Sequence, residues 1–130
     1  MSNWALILGA SSGIGASCAK ELAKKGINIY GIYLRKKSNV IEELTNELKS
    51  YGVEVIYKKM SATNEEKRLE VVQELKNIDN INIKVFVHSL AFGTLKPMIS
   101  KDSANMLNQK NIEMTLDVMA NSIVYWTQGL

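Results

Sequence analysis

A single cysteine, Cys18, excludes an intramolecular disulfide, and a chain without cross-links fits a reducing compartment. The expected location is the cytoplasm. A single histidine, His88, leaves a histidine-rich metal site or an imidazole-centred triad without its residues, so no metal is expected. No apolar stretch approaches the roughly 18 residues of a membrane span. Met1-Ser2-Asn3 runs straight into a strand-like segment, with neither a charged leader nor a cleavage site. A dominant charge of one sign is lacking too. The formal net charge is +3, with bases scattered among acids, which argues against nucleic-acid or membrane partners.

What is present is an ordinary soluble composition, 46% apolar and 22% charged over 130 residues. One core fits this length, although it is small for a doubly wound enzyme. Apolar segments alternate between strand-like and helix-like patterns, the mark of a parallel sheet covered on both faces. Strands are expected at Trp4–Leu8, Ile27–Leu34, Val53–Lys59 and Ile81–Leu90, the last with a Val85-Phe86-Val87 centre suited to burial on both faces. A first helix spans Ile14–Lys25, with Ile14, Cys18, Leu22 and nearby alanines inward and Gly26 as its stop. A second opens at Asn39 with Glu42 three positions on, buries Ile41, Leu44 and Leu48, and ends at Tyr51-Gly52. A Thr63-Asn64-Glu65-Glu66 capping-box pattern opens a third, burying Leu69, Val72 and Leu75. After a loop holding the only proline, Pro97, a last helix runs from about Asn111 with Ile112, Leu116, Met119, Ile123, Trp126 and Leu130 in steps of four and three. No repeat or linker divides the chain. The expected architecture is a three-layer α/β/α fold on a parallel sheet, a single domain over residues 1–130.

The first strand–helix turn reads Gly9-Ala10-Ser11-Ser12-Gly13-Ile14-Gly15. Glycine at 9 permits a tight turn, at 13 a close approach of backbone to a pyrophosphate, and at 15 close packing of helix on strand. The helix start offers free N–H groups and a positive dipole, and Ser11 and Ser12 add hydroxyls. The plainer alternative is a glycine-rich turn with no ligand. About 20 residues further on, where a fold specific for NAD places an acid on the ribose, stand Arg35, Lys36 and Lys37. A carboxylate there would repel a 2′-phosphate, whereas arginine grips one through charge-assisted hydrogen bonds. NADP(H) is the expected cofactor, against the alternative of a solvated basic loop.

Gly-x-x-x-Gly-x-Gly in this turn resembles the cofactor motif of the short-chain dehydrogenases/reductases, and the resemblance extends over essentially the whole chain, which implies a Rossmann-like doubly wound sheet of order 3-2-1-4, truncated after about four strands. Leu8 departs from it, since the family usually has threonine there. Ser61-Ala62 stands where the family commonly has an aspartate on the adenine, and reads equally well as a simple turn. At the end of the fourth strand, His88-Ser89-Leu90-Ala91 replaces the common Asn-Asn-Ala-Gly and resembles the enoyl-acyl-carrier-protein reductases. In these enzymes the segment lies beside the nicotinamide ribose, which implies a cofactor role for Ser89, Leu90 and Ala91; a lone histidine such as His88 is more often structural.

Met119 falls where the family usually has a catalytic asparagine, with Asn121 two residues on. The family's catalytic Tyr-x-x-x-Lys has one match, Tyr33 to Lys37, but it lies at the end of the second strand with its groups about 13 Å apart. No catalytic residue is therefore assigned. The resemblance implies an NADP(H)-dependent reductase of an enoyl- or oxo-acyl thioester, lacking the family's catalytic half. The alternative is a non-catalytic cofactor-binding or oligomerising remnant. A homodimer or homotetramer through the last helix is expected, with a Met119/Ile123/Trp126 face left bare.

Overall fold

The computed structural model describes residues 1–130. Four parallel strands, β1 (Ser2–Leu8), β2 (Asn28–Tyr33), β3 (Val55–Lys59) and β4 (Ile81–His88), form one sheet of order β3-β2-β1-β4. Between them run α1 (Gly13–Lys24), α2 (Ser38–Lys49) and α3 (Glu65–Lys76). Each strand lies within two residues of its expected bounds. Beyond β4 come a long loop with a short 3-10 turn (Ser103–Asn105), then α4 (Gln109–Leu116), a π turn (Asp117–Asn121) and α5 (Ser122–Gly129).

The alternation of β1 divides the core in two. Trp4, Leu6 and Leu8 join Tyr30, Met60, Val71, Leu75 and Trp126 on the face covered by α3 and α5. Ala5 and Ile7 join Ala19, Ala23, Ile29, Leu44 and Leu48 on the face covered by α1 and α2. Residues two apart share a face of a strand, so a continuous apolar run is buried from both sides. Trp4 through Leu8 are at most 1% exposed. Three layers and the expected strand order result.

Several local expectations are corrected. The buried stripe of α1 is Gly15, Ala19 and Ala23, spaced by four, and Ile14 is 74% exposed. Small residues let this helix lie close on the sheet, which turns Ile14 away from it. In α3 the buried residues are Val71, Val72 and Leu75, while Leu69 faces out. The cap of α3 is Asn64, accepting from the Lys67 N–H, rather than Thr63. Helix α2 starts at Ser38 without a side-chain cap, so Asn39 lies inside it; Ile41, Leu44 and Leu48 are buried as expected.

The last helix begins before Asn111, at an Asn108/Asn111 capping box. Its expected stripe is turned out. Ile112, Leu116, Met119, Ile123 and Leu130 are exposed, whereas Ser122 and Trp126 are fully buried. The π turn adds a residue to one turn, so positions before and after it no longer share a face. Trp126 therefore leaves the bare face on which the spacing puts it.

Strand β4 is an edge strand, and its centre is only half-buried rather than covered on both sides. Its pairing with β1 jumps from Trp4↔Ile83 to Ala5↔Val85, leaving Lys84 as the extra residue of a bulge. A bulge reverses the inward parity of the strand residues beyond it. Ile81, Ile83, Phe86 and Leu90 pack on the α3/α5 side, and Val85 and Val87 on the other. His88 shares the side of Phe86 and so meets α5.

Candidate functional site

All four strands point their carboxyl ends at one open cleft of about 600 Å³. Its floor is the turn after β1, where Gly9, Ser11, Ser12, Gly13 and Ile14 line it. The N–H groups of Gly9 and Ala10 both bond the Ile32 carbonyl at 3.0 Å, which ties the turn to β2. Tyr57 donates its hydroxyl to the Ala10 carbonyl at 2.9 Å from beneath, and burial pushes the Tyr57 pKa up, keeping that donor protonated.

The glycines have distinct physical reasons. Gly9 has φ +77° and presses on β4, where a Cβ would stand 2.0 Å from the Ser89 carbonyl oxygen. Gly15 supports the turn from inside, since a Cβ there would lie 1.9 Å from the Gly9 oxygen. Gly13, at φ +54°, borders open space with no atom within 4 Å of a Cβ. Ser12 is the N-cap of α1 yet makes no side-chain cap bond. The first-turn N–H groups have no intrahelical acceptor, and Ser12, Gly13 and Ile14, among the residues that carry them, line the cleft.

The wall after β2 is Tyr33, Leu34 and Arg35, and the wall after β3 is Met60, Ser61, Ala62 and Thr63. Ser61 and Thr63 share a hydroxyl hydrogen bond at 3.0 Å. The buried Trp126 of α5 donates its indole N–H to the Ala62 carbonyl at 2.9 Å and so holds this wall from behind. Opposite stand Ser89, Leu90, Ala91 and Phe92 after β4, closed by Met114 and Val118 from α4 and the π turn. The Ser89 N–H bonds the Leu8 carbonyl at 2.9 Å. Arg35 forms no ion pair with a carboxylate; its guanidinium lies 4.7 Å from the Phe92 ring centre.

His88 stays out of the cleft chemistry. Its Nε2 lies 2.8 Å from the Ser122 hydroxyl, which donates to the Val118 carbonyl at 2.7 Å. With that proton committed, Nε2–H is the donor to Ser122 Oγ. Burial holds the imidazole below its ordinary pKa of 6.5 and therefore neutral at pH 7. The chain from His88 through Ser122 to Val118 pins the π turn beside the cleft.

Of the residues singled out from the sequence, Gly9, Ser11, Ser12, Gly13, Ile14, Arg35, Ser61, Ala62, Ser89, Leu90 and Ala91 line this one cleft. Two do not. Gly15 is buried beneath the turn, where it serves packing, and Lys36 is exposed beyond the rim. Met119 is half-exposed on the π turn, and the neighbours that reach the cleft are Met114 and Val118. Motif reading misses Phe92, Leu34 and Met60, although each follows a strand end, a rule that finds them. No sequence signal marks Met114 and Val118, which arrive from a helix remote in the chain.

The chain matches the family model described as short chain dehydrogenase over residues 3–130. It belongs to the short-chain dehydrogenase family. Among curated members it is similar to a very-long-chain 3-oxoacyl-CoA reductase of Coccidioides immitis, 28% identical over 74% of this chain and 27% of that protein. The Anas platyrhynchos protein of the same name is 26% identical over 91% of this chain and 35% of its own length.

Solved members share the fold. A 3-oxoacyl-[acyl-carrier protein] reductase from Brucella melitensis superposes with a TM-score of 0.78 at 22% identity, covering 99% of this chain and 49% of that one. L-sorbose reductase from Gluconobacter frateurii, solved with NADPH and L-sorbose, gives 0.81 at 21%, covering 98% and 45%. The chain thus spans about half the length of these solved relatives and about a third or less of the curated ones. No helix is long and apolar enough to cross a membrane.

Proposed function

We propose that residues 1–130 are the NADP(H)-binding unit of a cytoplasmic reductase that acts on an enoyl- or oxo-acyl thioester. The observation that carries this reading is the cleft itself. It has unpartnered helix N–H groups and an open Gly13 on its floor and a guanidinium free of carboxylate partners on the β2 side. These features fit a dinucleotide carrying an extra phosphate. Gly13, Ile14 and the Ser11 and Ser12 hydroxyls would hold the pyrophosphate, Arg35 the 2′-phosphate, Ser61 and Ala62 the adenine, and the Ser89–Ala91 backbone the nicotinamide-side ribose. When bound, the cofactor supplies the hydride. The protein's own part is placement and exclusion of water, with Met114 and Val118 closing the cleft.

The names of the curated relatives support oxo reduction, and His88-Ser89-Leu90-Ala91 supports enoyl reduction. A second reading, a binding module without turnover, is favoured by one observation. Tyr33 is the only tyrosine in the cleft, it sits on the adenosine side, and no lysine lines the cleft. The exposed Ile112, Leu116, Met119 and Ile123 support a homodimer or homotetramer through the last helix.

Titration of NADPH and NADH against the wild type and Arg35→Ala tests the cofactor reading. NADPH is expected to bind the wild type more tightly, and the substitution to cost it about 10- to 150-fold, the worth of one charge-assisted hydrogen bond. Equal affinities in the wild type would refute the assignment. NADPH oxidation with enoyl and 3-oxoacyl thioesters then separates the two chemistries, and turnover by this chain would exclude the module reading. Sedimentation as a monomer at micromolar concentration would exclude the oligomer.

A further inference from the structure

Arg35 follows β2 and Phe92 follows β4, with β1 between them in the sheet. Parallel neighbours lie about 4.8 Å apart, so the ends of β2 and β4 are separated by about 10 Å. Even so, the guanidinium carbon is 4.7 Å from the Phe92 ring centre, and both residues line the cleft. The two side chains lean together over the phosphate turn.

That contact changes what an exposed arginine can do. A free arginine on a loop loses rotamer freedom when it grips an anion. An aromatic ring that attracts the guanidinium removes part of that freedom in advance. It occupies little of the in-plane fork of five donors, and no carboxylate pairs with Arg35. The fork stays available to a phosphate.

We infer that Phe92 is a specificity-determining residue: its ring pre-positions the Arg35 guanidinium across the cleft for the 2′-phosphate of NADP(H). This rests on the dinucleotide reading of the cleft, and deepens it by adding a residue from the opposite wall. Phe92 acts through Arg35 and is a positioning residue. Its effect belongs to the phosphorylated cofactor, because NADH has no group for the guanidinium to meet.

The test is the ratio of NADH to NADPH dissociation constants in the full chain, both measured on each preparation so that a partly unfolded fraction cancels. Phe92→Leu keeps an apolar side chain and removes the ring. It is expected to lower the ratio about two- to five-fold, the worth of an exposed cation–π contact. Phe92→Trp, which offers the better π face, is expected to keep or raise it. In an Arg35→Ala background, Phe92→Leu is expected to leave the ratio where Arg35→Ala alone puts it. An unchanged ratio for Phe92→Leu in a wild type that prefers NADPH overturns the role of Phe92 and spares the cofactor reading. An equal effect with and without Arg35 also overturns it, by reducing Phe92 to a plain wall. A wild type that binds neither dinucleotide overturns both.

Discussion

Alanine at Gly9 and alanine at Gly13 look alike in the sequence motif, yet the structure assigns them different penalties. Both residues have positive φ, 77° and 54°, so each alanine incurs about 1–2 kcal/mol of left-handed backbone strain. Both gain the same small offset from a stiffer unfolded chain. The difference is steric. At Gly9 the new Cβ starts 2.0 Å from the Ser89 carbonyl oxygen and has to move to at least 3.0 Å, while at Gly13 nothing lies within 4 Å. The Ser89 oxygen is backbone, anchored by the bond from its own N–H to Leu8, so β1 and β4 must separate at their ends. Such overpacking costs about 1–3 kcal/mol.

Gly9→Ala should thus be less stable than Gly13→Ala by about 1–3 kcal/mol, a midpoint difference of about 0.5–1.5 M in urea. Binding should run the other way for Gly13→Ala. Its methyl projects into open cleft and is expected to weaken NADPH about ten-fold or more in a protein that still folds. Urea unfolding followed by circular dichroism, with NADPH titration of the folded variants, reads both quantities. Coincident urea midpoints for the two variants would refute the steric argument. So would a Gly13→Ala protein that binds as tightly as wild type.

Two further outcomes are expected. Trp126→Phe keeps most of the buried ring but leaves the Ala62 carbonyl without its donor. It should cost about 1–3 kcal/mol in urea unfolding and weaken NADPH through a looser Ser61–Thr63 wall; unchanged stability would show that the indole bond contributes nothing. The His88 pKa is lowered by burial, so the unfolded state binds the proton more readily and the contribution of His88 to stability is full above pH 6.5. That contribution is lost as pH falls from 6.5 through the folded-state value. The lone imidazole is resolved in proton NMR and should titrate below 6.5, with His88→Gln flattening the acid side of the stability profile; titration above 6.5 would contradict the buried neutral tautomer.

The parts of the site legible in the sequence are those whose physics is local. A Gly-x-x-x-Gly-x-Gly turn needs its glycines for reasons acting within seven residues, and strand β2 delivers Arg35 to the sheet edge by its own length. Ser61, Ala62 and Ser89 are reachable because a parallel strand must end beside its neighbour. Lys36 lies one residue past the lining and points to solvent, because the chain after Arg35 turns away from the cleft towards the start of α2 at Ser38. Gly15 serves the close packing that its place in the motif implies, buried beneath the turn rather than lining the cleft. Phe92 is legible by position but not in purpose, since its partner is Arg35, 57 positions away by their numbering.

By itself the sequence determined the alternation of strands and helices, the phosphate turn and the absence of an acid after β2. Each comes from periodicity, turn chemistry or charge within a short window. Only the tertiary structure decided which face of α1 is buried. Ala19 and Ala23 are inside and Ile14 is outside because closeness to the sheet, not side-chain size, selects the face of α1. The bulge at Lys84 and the π turn at Asp117–Asn121 each insert one residue, and each reverses or rotates every contact beyond it. Those single insertions bring His88 to Ser122 and Trp126 to Ala62. Neither has a local signature, because what stabilises it is packing between segments dozens of residues apart.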